Sequence, residues 1–356
     1  MAYIELNSSK LQHNFRFLDD LFRREGIEWA VVTKLLCGHP AYLKEVLDLG
    51  VEEVCDSRLS NLKMIKKIRP EVQTVYIKPP AKRLVESIVR FADVSFNSET
   101  ETIRMLSEEA GRQGKVHKVT IMIELGDLRE GIMGENLLAF YEQVFELPHI
   151  EVVAIGTNLN CLHRAMPSED KLIQLCLYKQ LIESRFDRKI PYITGGTSVV
   201  LPLLRQHRVP KGINHFRIGE ALFFGNDLFT GGPVQEMEQE VFKLYSEIIE
   251  ITEKPVVPTG MLAENPSGNT FEIEPDDYGR TSYRAILDIG LLDIPTQFLK
   301  PVDPQLEIVN ASSDMLILDL GEDHGRYEVG HLVEFDLVYM GALGLLNSKY
   351  IDKKTV

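Results

Sequence analysis

Eight short apolar runs recur along the first two-thirds of the chain, after a short leading strand: Trp29–Thr33, Glu53–Cys55, Val75–Ile77, Val94–Phe96, Val119–Glu124, Val152–Ile155, Tyr192–Thr194 and His215–Ile218. Their length and β-branched content predict buried parallel strands rather than helices. Amphipathic stretches lie between them. Ser9–Arg24 sets Leu11, Phe15, Leu18 and Phe22 on one face with Gly26 beyond its end, Pro40–Leu49 is closed by Gly50, and Glu169–Arg185 is a third such stretch. Ser98 reads as a helix N-cap, with Glu101 in the capping-box position three residues on. Eight βα units over about 200 residues predict a (β/α)8 TIM barrel. The rival is an open doubly wound sheet. It rarely needs eight strands and should carry a Gly-rich turn after the first, where this chain has Lys34.

From about Asn226 the pattern changes. Val241–Ile251, Arg284–Ile289, Met315–Leu320 and Leu332–Tyr339 are strand-like, separated by turn-rich stretches such as Glu264–Asn269 and Pro275–Gly279. This predicts an α/β barrel over residues 1–225 and an all-β C-terminal domain over 226–356. A chain of 356 residues is long enough for two such cores.

Composition narrows the function. With 44% hydrophobic and 26% charged residues and a mean hydropathy of −0.08, the chain is globular rather than disordered or fibrous. No apolar stretch reaches the ~18 residues of a membrane span, and the first residues lack the signature of a signal peptide, so a cytoplasmic protein is expected. Lys and Arg total 39 against 53 Asp and Glu, a net charge of −14. Such a surface repels a nucleic-acid backbone, so any bound phosphate must be held locally. Cys37, Cys55, Cys161 and Cys176 have neither disulfide nor zinc spacing and read as reduced thiols.

In a TIM barrel the chemistry lies just past the C-terminal ends of the strands. Lys34 follows the first run. A lysine buried at a strand end is pushed toward its neutral, imine-forming state; taken alone, Lys34 would be a lysine snorkelling at the rim. Gly195-Gly196-Thr197-Ser198 follows the seventh run and opens a helix, offering N–H groups and hydroxyls to a phosphate. Alone it would be an ordinary helix cap, but Arg217-x-Gly219 on the next strand tips the balance toward phosphate. An imine-forming lysine and a phosphate site on one barrel face together point to pyridoxal 5′-phosphate (PLP).

Five motifs stand in order on the strand ends: Thr33-Lys34-x-x-Cys37-Gly38, Gly126-Asp127-Leu128-Arg129-Glu130-Gly131, Gly156-Thr157-Asn158-Leu159, Gly195-Gly196-x-Ser198 and Arg217-x-Gly219-Glu220-Ala221. With them the chain resembles the alanine-racemase-like, fold-type III PLP enzymes, which join a TIM barrel to a C-terminal β domain. It is most similar to their ornithine-racemase branch, from Ile4-Glu5-Leu6 to Ser348-Lys349-Tyr350. The resemblance implies that Lys34 forms the covalent link to the cofactor and acts as one acid/base. Arg217 would sit against the pyridine nitrogen, disfavouring its protonation and limiting side reactions. Gly196, Thr197, Ser198 and the Gly219 backbone would hold the phosphate, and Arg129 would lie near a cofactor oxygen or the substrate carboxylate. Asn158 takes the place of a histidine that bonds to the arginine in alanine racemases. Tyr350 would reach the phosphate or serve as a terminal core aromatic. The resemblance further implies a head-to-tail homodimer acting on a small-molecule amino-acid substrate.

Two departures matter. Cys37 stands near a tyrosine position, and Gly290-Leu291-Leu292-Asp293 replaces the Gly-Tyr-x-Asp turn that supplies the second base in alanine racemases. Leucine transfers no proton. Asp293, Cys161, His163, Tyr283 and Asp314 are alternatives, each also readable as a purely structural residue, and the second base stays unassigned. Cys37 and Leu291 leave room for a larger side chain, and Asp293 and Asp314 could meet a distal ammonium. A racemase of ornithine or lysine is therefore expected. The alternatives are a non-catalytic PLP-homeostasis protein and a decarboxylase; Arg217 opposes the latter, whose ring nitrogen typically meets a carboxylate.

Overall fold

A computed structural model describes residues 2–262, 274–322 and 324–356 of the chain. After a leading strand β1 (Tyr3–Leu6), the eight apolar runs become β2 (Glu28–Val32), β3 (Glu53–Asp56), β4 (Gln73–Tyr76), β5 (Val94–Asn97), β6 (His117–Met122), β7 (Ile150–Gly156), β8 (Tyr192–Thr194) and β9 (His215–Ile218). They pair in parallel in chain order, and β9 closes onto β2 with Ala30 opposite Arg217. Ala30, Val32, Cys55, Val75, Val94, Phe96 and Met122 form one buried apolar cluster on five of these strands. Removing such side chains from water is the main force holding a barrel shut.

The helices outside the barrel follow their apolar stripes. Ser8–Arg24 buries Leu11, Leu18 and Phe22, and the Asn7 side chain caps it by accepting from Lys10 N–H at 2.9 Å. At the helix Thr100–Arg112 the expected cap is displaced by one residue. Glu99, not Ser98, accepts from the N–H groups of Glu101 and Thr102, at 3.1 and 2.7 Å. With Thr100 as the first helical residue, Ser98 stands one position too early, and Glu101 instead pairs with Arg104.

The second unit is antiparallel. Its strands are β10 (Phe242–Pro255), β11 (Thr281–Leu287), β12 (Leu299–Pro301), β13 (Glu307–Ala311), β14 (Leu316–Gly321), β15 (Leu332–Leu337) and β16 (Asp352–Thr355). They run in the order β12-β15-β10-β11-β14-β13, while β1 pairs with both β10 and β16. The last predicted strand ends at Leu337, and Tyr339 starts a helix, Tyr339–Asn347. The turn expected at Glu264–Asn269 lies outside the described residues.

The compact units are Asn7–Val241 on one side and Tyr3–Leu6 with Phe242–Val356 on the other. The division thus falls after 241 rather than after 225. The alternation of strand and helix ends near Asn226, but the chain that follows stays bonded to the barrel unit. Asn14 donates to the carbonyls of Leu222 and Glu238 and accepts from Glu238 N–H at 2.7 Å, and Val234 N–H reaches Gly225 O at 2.8 Å. Among the described residues no helix is long and apolar enough to cross a membrane.

Candidate active site

Lys34 begins a single helical turn, Lys34–Leu36, directly past β2. The turn is held from β3. Thr33 N–H donates to Cys55 O at 2.9 Å, and Thr33 Oγ1 donates to the buried Asp56 carboxylate at 3.0 Å. Asn61 donates to the same carboxylate, at 3.1 and 3.2 Å to its two oxygens. Burial raises the Asp56 carboxyl above its ordinary range, although the bonds from Arg58 N–H, Asn61 and Thr33 oppose this. Lys34 is exposed rather than buried, the rim position that the sequence offered as its alternative, because the helical turn carries it onto the rim. Its electrostatic neighbour is Glu220, just past β9, whose carboxyl is raised mainly by burial and lowered by Asn226 and Lys34.

Arg217, on β9 beside β2, is only 2% exposed. A buried guanidinium must have its donors satisfied. One Nη donates to Thr194 Oγ1, and the other to Thr157 O at 2.8 Å and Asn158 Oδ1 at 2.6 Å, while the group lies 5.0 Å over the Phe96 ring. Asn158 passes the interaction outward by donating to Glu130, whose carboxylate also holds Arg129 through Nε and Nη2. The hydrogen bond and charge of Glu130 keep Arg129 firmly protonated, whereas burial lowers Arg217 from its usual value. The result is one line of polar groups, Thr194–Arg217–Asn158–Glu130–Arg129, drawn from the ends of four strands.

Beside it lies the Gly195–Ser198 turn. A side chain at Gly195 would strike the Phe216 ring at 2.8 Å, so this glycine permits close packing. Gly196 has φ +135° and nothing within 4 Å of where a Cβ would stand, so its backbone borders open space. The helical turn Ser198–Val200 starts there without a side-chain cap, and Ser198 Oγ accepts from the N–H groups of Gly219 and Ala221, at 3.3 and 3.2 Å. Thr157 Oγ1 is buried without a hydrogen-bond partner. An uncapped turn bordering open space, an orphaned hydroxyl and a desolvated guanidinium form a donor set that fits a phosphorylated heteroaromatic ring.

The loop after β7 is built around Asp127. Its buried carboxylate accepts from the N–H groups of Cys161, Leu162, His163 and Ala165, at 3.0, 2.9, 3.1 and 3.4 Å. This leaves Cys161 exposed, with Arg129 and Arg217 in electrostatic range, and ties His163 Nδ1 to Asp127 O at 2.8 Å. The remaining candidates lie in the β unit. Tyr283 packs edge-on to His324, while Asp293, Asp314 and Tyr350 line one cavity of about 360 Å³ with Asp288 and Leu292. Tyr350 is 80% exposed, which removes the reading of a core aromatic.

Glu130 and Thr194 were not singled out from the sequence. Glu130 adjoins Arg129 inside a quoted motif, and Thr194 closes the seventh run beside the Gly195-Gly196 turn, so both left a faint signal. Thr157 likewise sat in a motif without an assigned role.

Residues 6–227 match the family described as "Alanine racemase, N-terminal domain". An ornithine racemase from Acetoanaerobium sticklandii is 35% identical over 352 residues, 99% of this chain and 98% of that protein. A lysine racemase from Thermotoga maritima is 30% identical over 349 residues, covering 98% and 96%. Among solved structures, the alanine racemase from Bartonella henselae with covalently bound pyridoxal phosphate superposes with a TM-score of 0.73 at 15% identity, covering 100% of this chain and 99% of that one. The match over the whole barrel and the full-length identity to two racemases place this chain in the alanine racemase family.

Proposed function

We propose that the protein is a PLP-dependent racemase of a basic amino acid, ornithine or lysine, working in the cytoplasm as a head-to-tail homodimer. The observation that carries this reading is the buried Arg217, backed by Asn158 and Glu130 and carried on the strand paired with the one that precedes Lys34. The two racemases aligned along almost the entire chain support both the reaction and the substrate class.

PLP, when bound, supplies an electron sink that acidifies the α C–H of an amino acid. Lys34 would hold it covalently and, once released, take or return the α-proton on one face. Gly196, Thr197, Ser198 and the Gly219 backbone would hold the phosphate. Arg217 is a donor that cannot accept a proton, so it would bond to the ring nitrogen and keep it unprotonated, confining the chemistry to proton exchange. Arg129, clamped by Glu130, would face the substrate carboxylate. In the β unit, Asp288, Asp293 and Asp314 around one cavity suit a distal ammonium, with Tyr350 at the same wall. Leu291 has no proton to give, so the opposite-face group is a different residue.

The test joins adduct mapping to turnover. Borohydride reduction should fix the cofactor on Lys34, Lys34→Ala should abolish both the adduct and racemisation, and ornithine or lysine should be racemised faster than alanine or serine. An adduct on another lysine, or a preference for alanine, would overturn the corresponding part of the reading.

A further inference from the structure

The barrel interior holds a histidine that the mechanism above leaves idle. His215 opens β9 two residues before Arg217, so both side chains leave the same face of the strand. Its Nδ1 lies 2.9 Å from Thr194 Oγ1, the oxygen that accepts from Arg217, and its Nε2 lies 3.3 Å from Glu53 Oε1 at the start of β3. His215 is 8% exposed and Thr194 2%. Other charged or titratable groups near His215 are Glu28, opposite it on β2, Tyr192, whose ring meets it edge-on at 6.1 Å, Lys118 on the wall of one adjoining cavity, and Asp19, Arg23 and Glu52 on the wall of another.

Building on the proposed role of Arg217, we propose that Glu53, His215 and Thr194 form a positioning column that sets the hydrogen-bond direction, and so the orientation, of the Arg217 guanidinium. Arg217 donates to Thr194 Oγ1, so the Thr194 hydroxyl proton is free to go to Nδ1 of His215, while Nε2 faces the Glu53 carboxylate. The two bonds at Thr194 then point the same way. None of the three members meets the substrate, so the column acts only through the direction in which it holds the Arg217 guanidinium.

The test uses holoenzyme and compares the wild type with Thr194→Val, His215→Phe and His215→Asn, the last keeping an acceptor toward Thr194. The cofactor absorbance band is followed at one fixed pH, together with kcat, KM and the borohydride adduct at Lys34. Thr194→Val and His215→Phe should keep the adduct and shift the band. They should also lower kcat by about tenfold with little change in KM, the scale typical of groups that orient a functional side chain. His215→Asn should recover most of both properties. A wild-type band and kcat in either disrupting variant that folds would overturn the column while leaving the racemase reading intact. A wild type with no adduct at Lys34 would overturn that reading, and this inference with it.

Discussion

The mouth of the barrel and the acidic cavity of the β unit are both polar, but they are built in opposite ways. At the mouth, Arg217 is 2% exposed and is bonded by groups from two other strand ends, and Glu130 serves two partners at once. In the cavity, Tyr350 is 80% and Leu292 67% exposed, and Asp293 and Asp314 accept from Ser348 and Ser313, at 2.6 and 2.8 Å. A buried, mutually satisfied network is costly to change at any member, because each loss strands a partner away from water. A solvated set of carboxylates can change without disturbing its surroundings. The first arrangement suits chemistry shared by a whole family, and the second suits the choice of side chain.

Arg217→Glu strikes the first region hardest. It would set a carboxylate against Thr157 O and Asn158 Oδ1, both acceptors, and, under the proposed role of Arg217, beside the ring nitrogen. Racemisation should fall by ~10²-fold or more, as when a preorganised donor is lost. A long-wavelength absorbing species and more transamination should appear in stopped-flow spectra and product analysis. Unchanged spectra and turnover would show that Arg217 does not meet the ring.

The paired change Asp293→Asn with Asp314→Asn addresses the second region. Ornithine kcat/KM should fall by about tenfold while alanine turnover and cofactor content stay level, since one imperfectly matched polar group costs roughly 1–3 kcal/mol. Equal loss for both substrates would erase the contrast between the two regions.

Asp127→Asn gives the smallest expected effect and sharpens the meaning of burial. Burial alone would raise the Asp127 carboxyl, but the N–H donors of Leu162, Cys161, His163 and Ala165 outweigh it and hold the group below its ordinary range. A depressed folded-state value contributes stability above the unfolded carboxyl's titration, and this is lost as pH falls through the folded value. The wild type should therefore exceed Asp127→Asn by about 1–2 kcal/mol at neutral pH, the scale of hydrogen bonds to a charged group. The two denaturation curves should converge on acidification. A constant difference down to pH 3 would show that the carboxylate's charge does not hold this loop.

The eight barrel strands and the strand-end positions of Lys34, Arg129, Asn158 and Arg217 were legible because apolar run length, β-branching and the residue that follows each run are local properties. In the β unit the same reasoning recovered β10, β11, β14 and β15. It missed β12, β13 and β16, which are short or largely exposed and so lack a clear alternation. The exposure of Lys34 fits the rim lysine that the sequence offered for that residue taken alone, because the helical turn, not the strand, orients its side chain. What tertiary structure alone decided is which polar groups meet. Glu130 and Asn158 are 28 residues apart, Asn158 and Arg217 59, and Glu53 and His215 still farther along the chain. The β6-β7-β8-β9 order brings the first two pairs within bonding distance, and closing β9 onto β2 brings Glu53 to His215. Sequence alone thus determined the barrel and the residues its strand ends offer for chemistry. The register and closure of the barrel determined their hydrogen-bond partners, because those depend on the relative offset of strands far apart in sequence, which no local hydrophobic pattern encodes.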